Sequence, residues 1–492
     1  MNLQLWLAVL LPFIAMPVVY LLGRSMGKNM SWIALLPLLY STVYLGSLQM
    51  NIADNPVGDY IEWLPGIDFG LYADGLSNPI ALLIALLSVI MLLFSNLEMA
   101  QNILKQYGGE NNKAYATFYA VYLGYVGGML GVVLSTSLFE FYFFFELMII
   151  PSYLLINAYG SGEKEKIALS YLLWSIVGAV LFVTGALAAY ALTGSFELSD
   201  LALLTGSPYA GMVVILMLLG FGVKLAMFGL HLWQPAAYAN APTSISALLS
   251  PAMSGLAAYS IARMLIPITG TLQSYYMLTL AWGLVTMIYG GLMVMSETDI
   301  KRLLAYSSMS QMGYMFIGVV SCTTLGVTGS MLHYISHGFG KAALFLCMGA
   351  IIYRTGIRDI RELGGLAARM PVTATVFFIG ALNLAGIPPT IGYPSKMMIF
   401  LGAFGPGVEI LSADFYVALV ALISTALTVG YTTWTMRRVF FGPLPEHLAD
   451  VEEAPTMMLL AMVLLIAFSV VLGIYPRPII DPLMEAVAGL IG

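Results

Sequence analysis

Charge is scarce in this chain. Of its 492 residues only 9% are Asp, Glu, Lys or Arg, whereas 60% are hydrophobic. A soluble domain carries about 25% charged residues. With a mean hydropathy of +0.91, the composition excludes a soluble globular domain and predicts a polytopic membrane protein embedded in lipid. The net charge of -6 is small and dispersed, which excludes a nucleic-acid partner. Cysteine is nearly absent. Cys322 and Cys347 are the only two, with no Cys-x-x-Cys spacing. They are too few for a four-cysteine iron–sulfur cluster and read as small packing residues. Walker A and dinucleotide fingerprints are also missing. That argues against an ATP-driven pump, and no cofactor is expected in this chain. No soluble domain interrupts the sequence. The longest loops, 51–77 and 439–454, are too short to house a nucleotide or redox group. The first apolar segment lacks the basic start of a signal peptide and reads as a membrane helix.

What the sequence has is apolar runs. A bilayer crossing takes about 20 of them in a row. Fourteen are expected, at 3–22, 31–50, 78–97, 114–134, 136–157, 167–193, 209–230, 242–265, 273–296, 303–321, 327–353, 371–402, 414–436 and 455–475. The fold class is therefore an all-α polytopic membrane protein. Fourteen of the 19 Lys and Arg fall in alternate loops, from Arg24 and Lys28 through Lys301 and Arg302 to Arg437 and Arg438. The opposite loops are acidic, with Asp54, Asp59, Glu62, Asp68, Asp74, Glu197, Asp200, Glu409 and Asp414. Loop Lys and Arg mark the cytoplasmic side. Both termini are thus expected outside a cell (inner or cytoplasmic) membrane.

Four basic residues remain in or near the membrane: Lys224, Arg263, Lys341 and Lys396. A charge at bilayer depth costs at least ~2.5 kcal/mol, so each needs a partner, water or a route to the interface. Arg263 sits at a helix end, where snorkelling suffices. Lys224 lies among Gly220, Gly222, Gly229 and Pro235, and Lys396 follows Ala385-Gly-Ile-Pro-Pro389 and Gly392-Tyr-Pro394. Both contexts predict helices broken inside the membrane, helices 7 and 12 of the count. They lie five helices apart, as an inverted repeat requires. The expected organisation is 1–113 (helices 1–3), 114–265 (first five-helix repeat), 273–440 (second repeat) and 455–492 (helix 14 and tail).

Glu146 is the acid well inside the fifth helix. It reads either as a structural ion-pair partner or as a protonatable partner of Lys224, whose neutralisation would let the lysine release a proton. His333, His337 and Lys341 recur at i, i+4 and i+8 and share one helix face. Histidine relays protons near neutral pH. The two histidines lack an acidic third ligand nearby, so no metal is expected. His231 lies near a helix end, where it would shape access from the inner side.

At these residues the chain resembles the antiporter-like subunits of the respiratory complex I superfamily. These are the M- and N-type chains of complex I, the D-type chains of multisubunit Na+/H+ antiporters, and the H-type chains of archaeal membrane-bound hydrogenases and sulfane sulfur reductases. The motifs are Phe145-Glu146 to Pro151, Val223-Lys224, Leu230-His231-Leu-Trp233-Gln-Pro235, Asp299-Ile-Lys301 to Ser308, Ser336-His337-Gly-Phe-Gly-Lys341, and Gly386-Ile-Pro-Pro389 through Lys396. The resemblance implies a proton- or Na+-translocating, non-redox subunit of a membrane-bound oxidoreductase complex (a translocase). Glu146, Lys224, His337 and Lys396 would form its polar axis, with His231, Ser254, Tyr259, His333 and Lys341 supporting the path. Its partners would be other membrane subunits, H+ or Na+, and the lipid bilayer. Two alternatives stand beside it: a Na+/H+ antiporter subunit without a redox partner, and a structural spacer that transports nothing. Three positions depart from the family pattern. Gly229 replaces a proline, and Pro235-Ala-Ala-Tyr238 replaces Pro-Asp-Ala-His. Gly255 stands four residues before Tyr259, where a lysine or histidine is usual. Either water with Ser254 and Tyr259 bridges that gap, or the path is interrupted there.

Overall fold

The structure is a computed structural model and describes residues 3–64, 67–405 and 413–491. Glu409, counted above among the acids, lies outside the described residues. Helices α1 (Leu3–Met26) and α2 (Met30–Gln49) form a hairpin, followed by an antiparallel ribbon of β1 (Val57–Leu64) and β2 (Ile67–Ala73). Next come α3 (Ser77–Tyr107), α4 (Asn112–Leu134), α5 (Leu138–Tyr159) and α6 (Lys164–Thr193). A broken region contains α7 (Ala210–Lys224), α8 (Gln234–Asn240), α9 (Thr243–Leu248) and α10 (Ser254–Leu265), with a π-turn over Leu249–Met253. The second half runs α11 (Thr269–Gln273), α12 (Tyr276–Ser296), α13 (Ile300–Val320), α14 (Thr324–Thr355), α15 (Pro371–Ala385) and α16 (Gly392–Ala403). The chain closes with α17 (Ala413–Phe440), α18 (Thr456–Ile474) and α19 (Arg477–Ile491).

Among the described residues, ten helical segments are long and apolar enough to cross a membrane, the first running through α1 and α2. The protein is an all-helical, multi-pass membrane protein. Short polar side chains start several of the helices. Ser137 accepts a hydrogen bond from the Glu140 N–H, so three residues suffice between α4 and α5. Asn111, Asp299 and Thr323 do the same for α4, α13 and α14, each satisfying an orphan amide at a helix start. α14 runs through the middle of the bundle. Nearly all of its residues are buried, including His333, His337 and Lys341.

Two features of the acidic face differ from the sequence reading. The loop at 51–77 contains the β1–β2 ribbon, and the tail beyond 475 forms α19. Glu140, fully buried in the first turn of α5, accepts hydrogen bonds from Gly70 N–H (3.3 Å) and Thr136 N–H (3.0 Å). It thereby ties the ribbon to the α4–α5 link, in the part of the helix where the dipole favours an anion. Gln49 Nε2 donates to the Pro478 carbonyl (2.9 Å), holding α19 against the end of α2.

Arg263 does more than snorkel. Its Nη1 meets Asp74 Oδ2 at 2.6 Å. The other Asp74 oxygen accepts from Leu76 N–H and Ser77 N–H at the start of α3. Burial pushes the Asp74 carboxyl upward, but the Arg263 charge and the Ser77 hydrogen bonds outweigh it and hold the group below the usual carboxylate range. An acid depressed in the folded state adds stability above its unfolded value, and that stability is lost as pH falls through the folded value. Melting temperature should therefore be insensitive to this pair from pH 8 to about 5, and decline from this source only below about pH 4. Asp74→Ala should cost about 2 kcal/mol at neutral pH, below the roughly 3–5 of a fully buried pair. The discount reflects side-chain exposures of 13% and 15%. Thermal unfolding of the purified chain across that pH range checks both statements.

Candidate functional site

Lys224 is the last residue of α7. The helix stops there because the chain turns through Ala226 (φ 53°) and Gly229 (φ 89°) before α8 begins. Gly229 is where the left-handed conformation needs a residue without Cβ. The amides and carbonyls released by the break find side-chain partners. Phe228 N–H donates to Thr286 Oγ1 (3.1 Å) and Gly229 N–H to His231 Nδ1 (3.3 Å). Trp233 Nε1 donates to the Val223 carbonyl and Trp282 Nε1 to the Phe228 carbonyl, each at 2.9 Å. Irregular backbone at membrane depth is tolerated only when so satisfied. His231 thus serves the break itself, its ring stacked on Phe228 and tilted against Tyr289.

The Lys224 ammonium is buried. It donates to Tyr171 Oη (3.4 Å) and Ser175 Oγ (3.5 Å). The ring centroids of Tyr171, Phe145 and Trp233 stand 5.1, 5.3 and 5.7 Å away. A cation gains from aromatic faces at such distances and from the negative end of the helix it terminates. Glu146 is half-buried on α5 and exerts a Coulombic pull on Lys224, yet the two make no ion pair within 4.0 Å. Phe145 is a wall of this site. A cavity of about 10 Å3, the size of one water, adjoins Lys224 between Phe141, Phe182, Phe221 and Ser260.

The second half repeats the device. α15 ends at Gly386 (φ 76°) and α16 begins at Gly392. A Cβ on Gly386 would lie 2.9 Å from Lys396 Cδ, so the lysine stem rests on the C-terminal end of α15. The Lys396 ammonium is buried without a hydrogen-bond partner among the described residues, 4.1 Å from the centroid of Tyr314. His333 lies between Ser395 Oγ (3.0 Å to Nδ1) and Gln311 Oε1 (3.2 Å to Nε2). The Gln311 amide in turn donates to Tyr431 Oη at 3.1 Å. Neither ring nitrogen of buried His337 has a partner among the described residues, and Lys341 Nζ donates to Ser307 Oγ. The residues at i, i+4 and i+8 on α14 are thus all buried, and His333 and Lys341 have polar partners. Among the described residues, no three His, Cys, Asp or Glu converge to hold a metal ion.

Asn383 bridges the second break. Its Oδ1 accepts from Gly392 N–H (3.1 Å), Ser469 Oγ (2.9 Å) and Ser336 Oγ (3.2 Å), while Nδ2 donates to the Ser336 carbonyl (2.8 Å). Being uncharged, Asn383 carries no burial cost of the kind that marks a lysine in the sequence. Glu98 lies one residue beyond the expected end of its helix. Both of its oxygens accept N–H groups at the start of α9, from Thr243 and from Ser244 (3.0 Å). Lys301, placed above in a loop, is instead buried in the first turn of α13 and donates to the Ala241 carbonyl. Glu98 and Lys301 line a pocket of about 390 Å3 on the basic face, together with Lys105, Lys164 and Arg358.

The two supporting residues named on α10 part ways. Ser254 Oγ hydrogen-bonds Tyr238 Oη, whereas Tyr259 Oη donates to the Val133 carbonyl (2.6 Å). At Gly255 a Cβ would sit 2.3 Å from Tyr334 Cε2, so the Tyr334 ring fills the space a side chain there would need. Gly255→Ala should lose about 1–3 kcal/mol through overpacking, readable as a lower melting temperature.

Against known proteins, residues 135–428 match the family model described as NADH:quinone oxidoreductase/Mrp antiporter, transmembrane. The chain is 32% identical to the A-type Na+/H+ antiporter chain of Alkalihalophilus pseudofirmus over 98% of its own length, though it spans only 62% of that protein. It is 30% identical to the D-type Na+/H+ antiporter chain of the same organism, covering 97% of this chain and 95% of that one. Respiratory complex I from Thermus thermophilus contains a chain that superposes with a TM-score of 0.86 at 25% identity, over 99% of this chain and 100% of that one. The family model spans more than half of the chain and the D-type relative is matched along nearly its whole length: the chain belongs to the NADH:quinone oxidoreductase/Mrp antiporter transmembrane family.

Proposed function

We propose that the chain is the cation-translocating subunit of a complex I-related, redox-driven membrane assembly, moving H+ or Na+ along an axis of Glu146, Lys224, His337 and Lys396. The observation that carries this reading is Lys224. It is a buried ammonium with no ion-pair partner within 4.0 Å among the described residues, kept by hydroxyls and aromatic faces at the end of a broken helix. A lysine kept only for structure would gain most from a contacting carboxylate. Without one, its charge responds to the more distant Glu146, as a switchable proton holder must. Redox chemistry elsewhere in the assembly would alter the Glu146 charge and so the proton affinity of Lys224. The work required is modest, since one charge crossing 100 mV costs about 2.3 kcal/mol.

In this reading the basic face is cytoplasmic, both termini lie outside, and the axis joins two inverted repeats, 114–265 and 273–440. Lys224 and Lys396, each against the C-terminal end of a half-helix, support that relation. The test is purification of the intact assembly from its native membrane and reconstitution into sealed vesicles. Redox subunits should copurify, and adding an electron donor should drive H+ or Na+ across the vesicle membrane. Cation exchange driven only by an imposed gradient, with no redox subunit present, would replace this reading with the Na+/H+ antiporter. Neither activity would leave the spacer.

A further inference from the structure

The pocket of about 390 Å3 on the basic face has no place in the axis proposed above. It opens where α3 and α5 end and where α6, α9 and α13 begin. Its volume falls in the range of small-molecule sites, about 300–1,000 Å3. Four cations line it, Lys105, Lys164, Lys301 and Arg358, against one carboxylate, Glu98. Glu98 is already engaged. Its two oxygens accept the N–H groups of Thr243 and Ser244, and among the described residues it makes no ion pair within 4.0 Å. Arg358 is engaged as well. Its Nε donates to Asp299 Oδ2 (2.8 Å), Nη1 to Ser161 Oγ (3.0 Å) and Nη2 to the Ala239 carbonyl (2.6 Å).

The three lysines keep spare donors. An ammonium carries three N–H groups. Lys301, buried at 4% exposure, uses one on the Ala241 carbonyl. Lys164 uses one on the Ala158 carbonyl at 2.8 Å, closing the last turn of α5. Lys105 uses none among the described residues, and no carboxylate there stands within ion-pair distance of any of the three. A buried cation without a counter-charge is costly, and neighbouring cations repel it further. An anion seated in the pocket offsets both.

We infer that this pocket binds a phosphate group, carried either by an anionic phospholipid headgroup or by a soluble phosphate. The inference goes beyond the translocation reading and does not depend on it. Phosphate fits the donor set better than a carboxylate does. A carboxylate is best met by the fork of an arginine, and the fork of Arg358 is taken. Ammonium groups from α3, α6 and α13 act as separate point charges, which suits an anion offering three or more oxygens. Place also agrees. Basic pockets between membrane helices at the interface take up anionic headgroups. Leu104 and Tyr107 are exposed beside Lys105 at the end of α3, an apolar and an amphipathic side chain of the kind found where lipid tails give way to headgroups.

The experiment uses the intact assembly, purified in detergent and stripped of loosely held lipid. Three probes are offered: phosphatidylglycerol in mixed micelles, phosphatidylcholine in the same micelles, and inorganic phosphate. Binding is followed by radiolabelled phosphorus and by melting temperature. Saturable binding of phosphatidylglycerol or of inorganic phosphate is expected, weakened at least about tenfold by Lys105→Gln combined with Lys164→Gln. Whichever of the two binds names the source of the phosphate. An unchanged melting temperature of the probe-free variant separates lost binding from lost fold. If the double variant fails to assemble, Lys105→Gln alone decides, with an expected loss of about fivefold, because that side chain holds nothing else in place. Phosphatidylcholine carries its own cation and should bind more weakly than phosphatidylglycerol. Equal binding of the two lipids, no saturable binding of either anionic probe, or equal binding by wild type and variant overturns the inference.

Discussion

Lys224→Ala is expected to reduce cation translocation by at least about tenfold while leaving the fold intact. The charge of Lys224 costs at least ~2.5 kcal/mol at bilayer depth. Three aromatic faces return about 0.5–2 kcal/mol each, and the C-terminal end of α7 adds about 0.3–1. These contributions together match or exceed the cost of the charge, and the stem leaves a cavity, so removing the side chain should lower stability by about 2–5 kcal/mol. Function should not survive, because the group that alternates between charged and neutral is gone. Lys224→Arg separates the two roles of the residue. Arginine keeps the charge and stacks on aromatic rings, but it does not release its proton. If Lys224 serves only as a fixed charge, Lys224→Arg restores flux. If it is a proton holder, the arginine variant is as inactive as the alanine variant, and that is the expected result. Flux measured in vesicles, beside the melting temperature of each purified assembly, decides between them.

In the proposed mechanism, Glu146 would act on Lys224 from a distance. A contacting carboxylate would pin the ammonium in its charged state and make release costly. Glu146 stands beyond ion-pair distance and is half-buried on α5, so its influence travels as a field through a low-dielectric interior. A field can be changed from outside the chain, by a charge on whatever covers that face, without breaking a hydrogen bond. Lys396 has no acidic counterpart of this kind among the described residues. Its ammonium relies on the Tyr314 ring and the end of α15. The two halves therefore share a lysine on a broken helix but differ in whether an acid stands near it.

Much of this arrangement is legible in the sequence because lipid imposes a simple rule. A spanning segment must satisfy its own backbone and so forms a long apolar helix. Hydropathy thus locates most helix limits within a few residues, and glycine–proline clusters mark both breaks. What stays hidden obeys no such rule. The β1–β2 ribbon and α19 lie at the acidic face, outside the long apolar runs that a bilayer crossing demands. Glu98 and Lys301 look like loop charges until α3 is seen to continue to Tyr107 and α13 to begin at Ile300. Gln311 and Asn383 carry no charge, so a search for expensive residues passes over them. The meaning of Gly255 depends on Tyr334, 79 positions later, whose ring fills the missing side chain's place. Only packing shows that this glycine is occupied space and not a gap.

Asn383→Leu should be among the most destabilising of the single changes considered, at about 3–5 kcal/mol. One amide serves four neighbours across the second break: Gly392 N–H, Ser469 Oγ, and both the hydroxyl and the carbonyl of Ser336. All lie in a dry interior where a lost partner costs about 1–3 kcal/mol each. The two serine hydroxyls can turn to other acceptors, but the Gly392 N–H and the Ser336 carbonyl cannot, which keeps the sum below a simple fourfold total. The surroundings leave no slack for repacking. A Cβ on Gly392 would lie 1.9 Å from the Asn383 carbonyl oxygen, and one on Gly340 would lie 2.1 Å from Asn383 Nδ2. Asn383→Asp is the informative companion. It keeps an acceptor for Gly392 and the serines only by staying protonated or by burying a charge at about 2.5 kcal/mol or more, so any stability it recovers over Asn383→Leu should appear at low pH and vanish as pH rises. Because α16 hangs from this junction, losing Asn383 should also displace Lys396, and flux should fall with stability. Melting temperatures of the two variants, read beside flux, test the claim. Equal stability of Asn383→Leu and wild type would show that the break is held by α15 and α16 packing, and not by the amide that spans them.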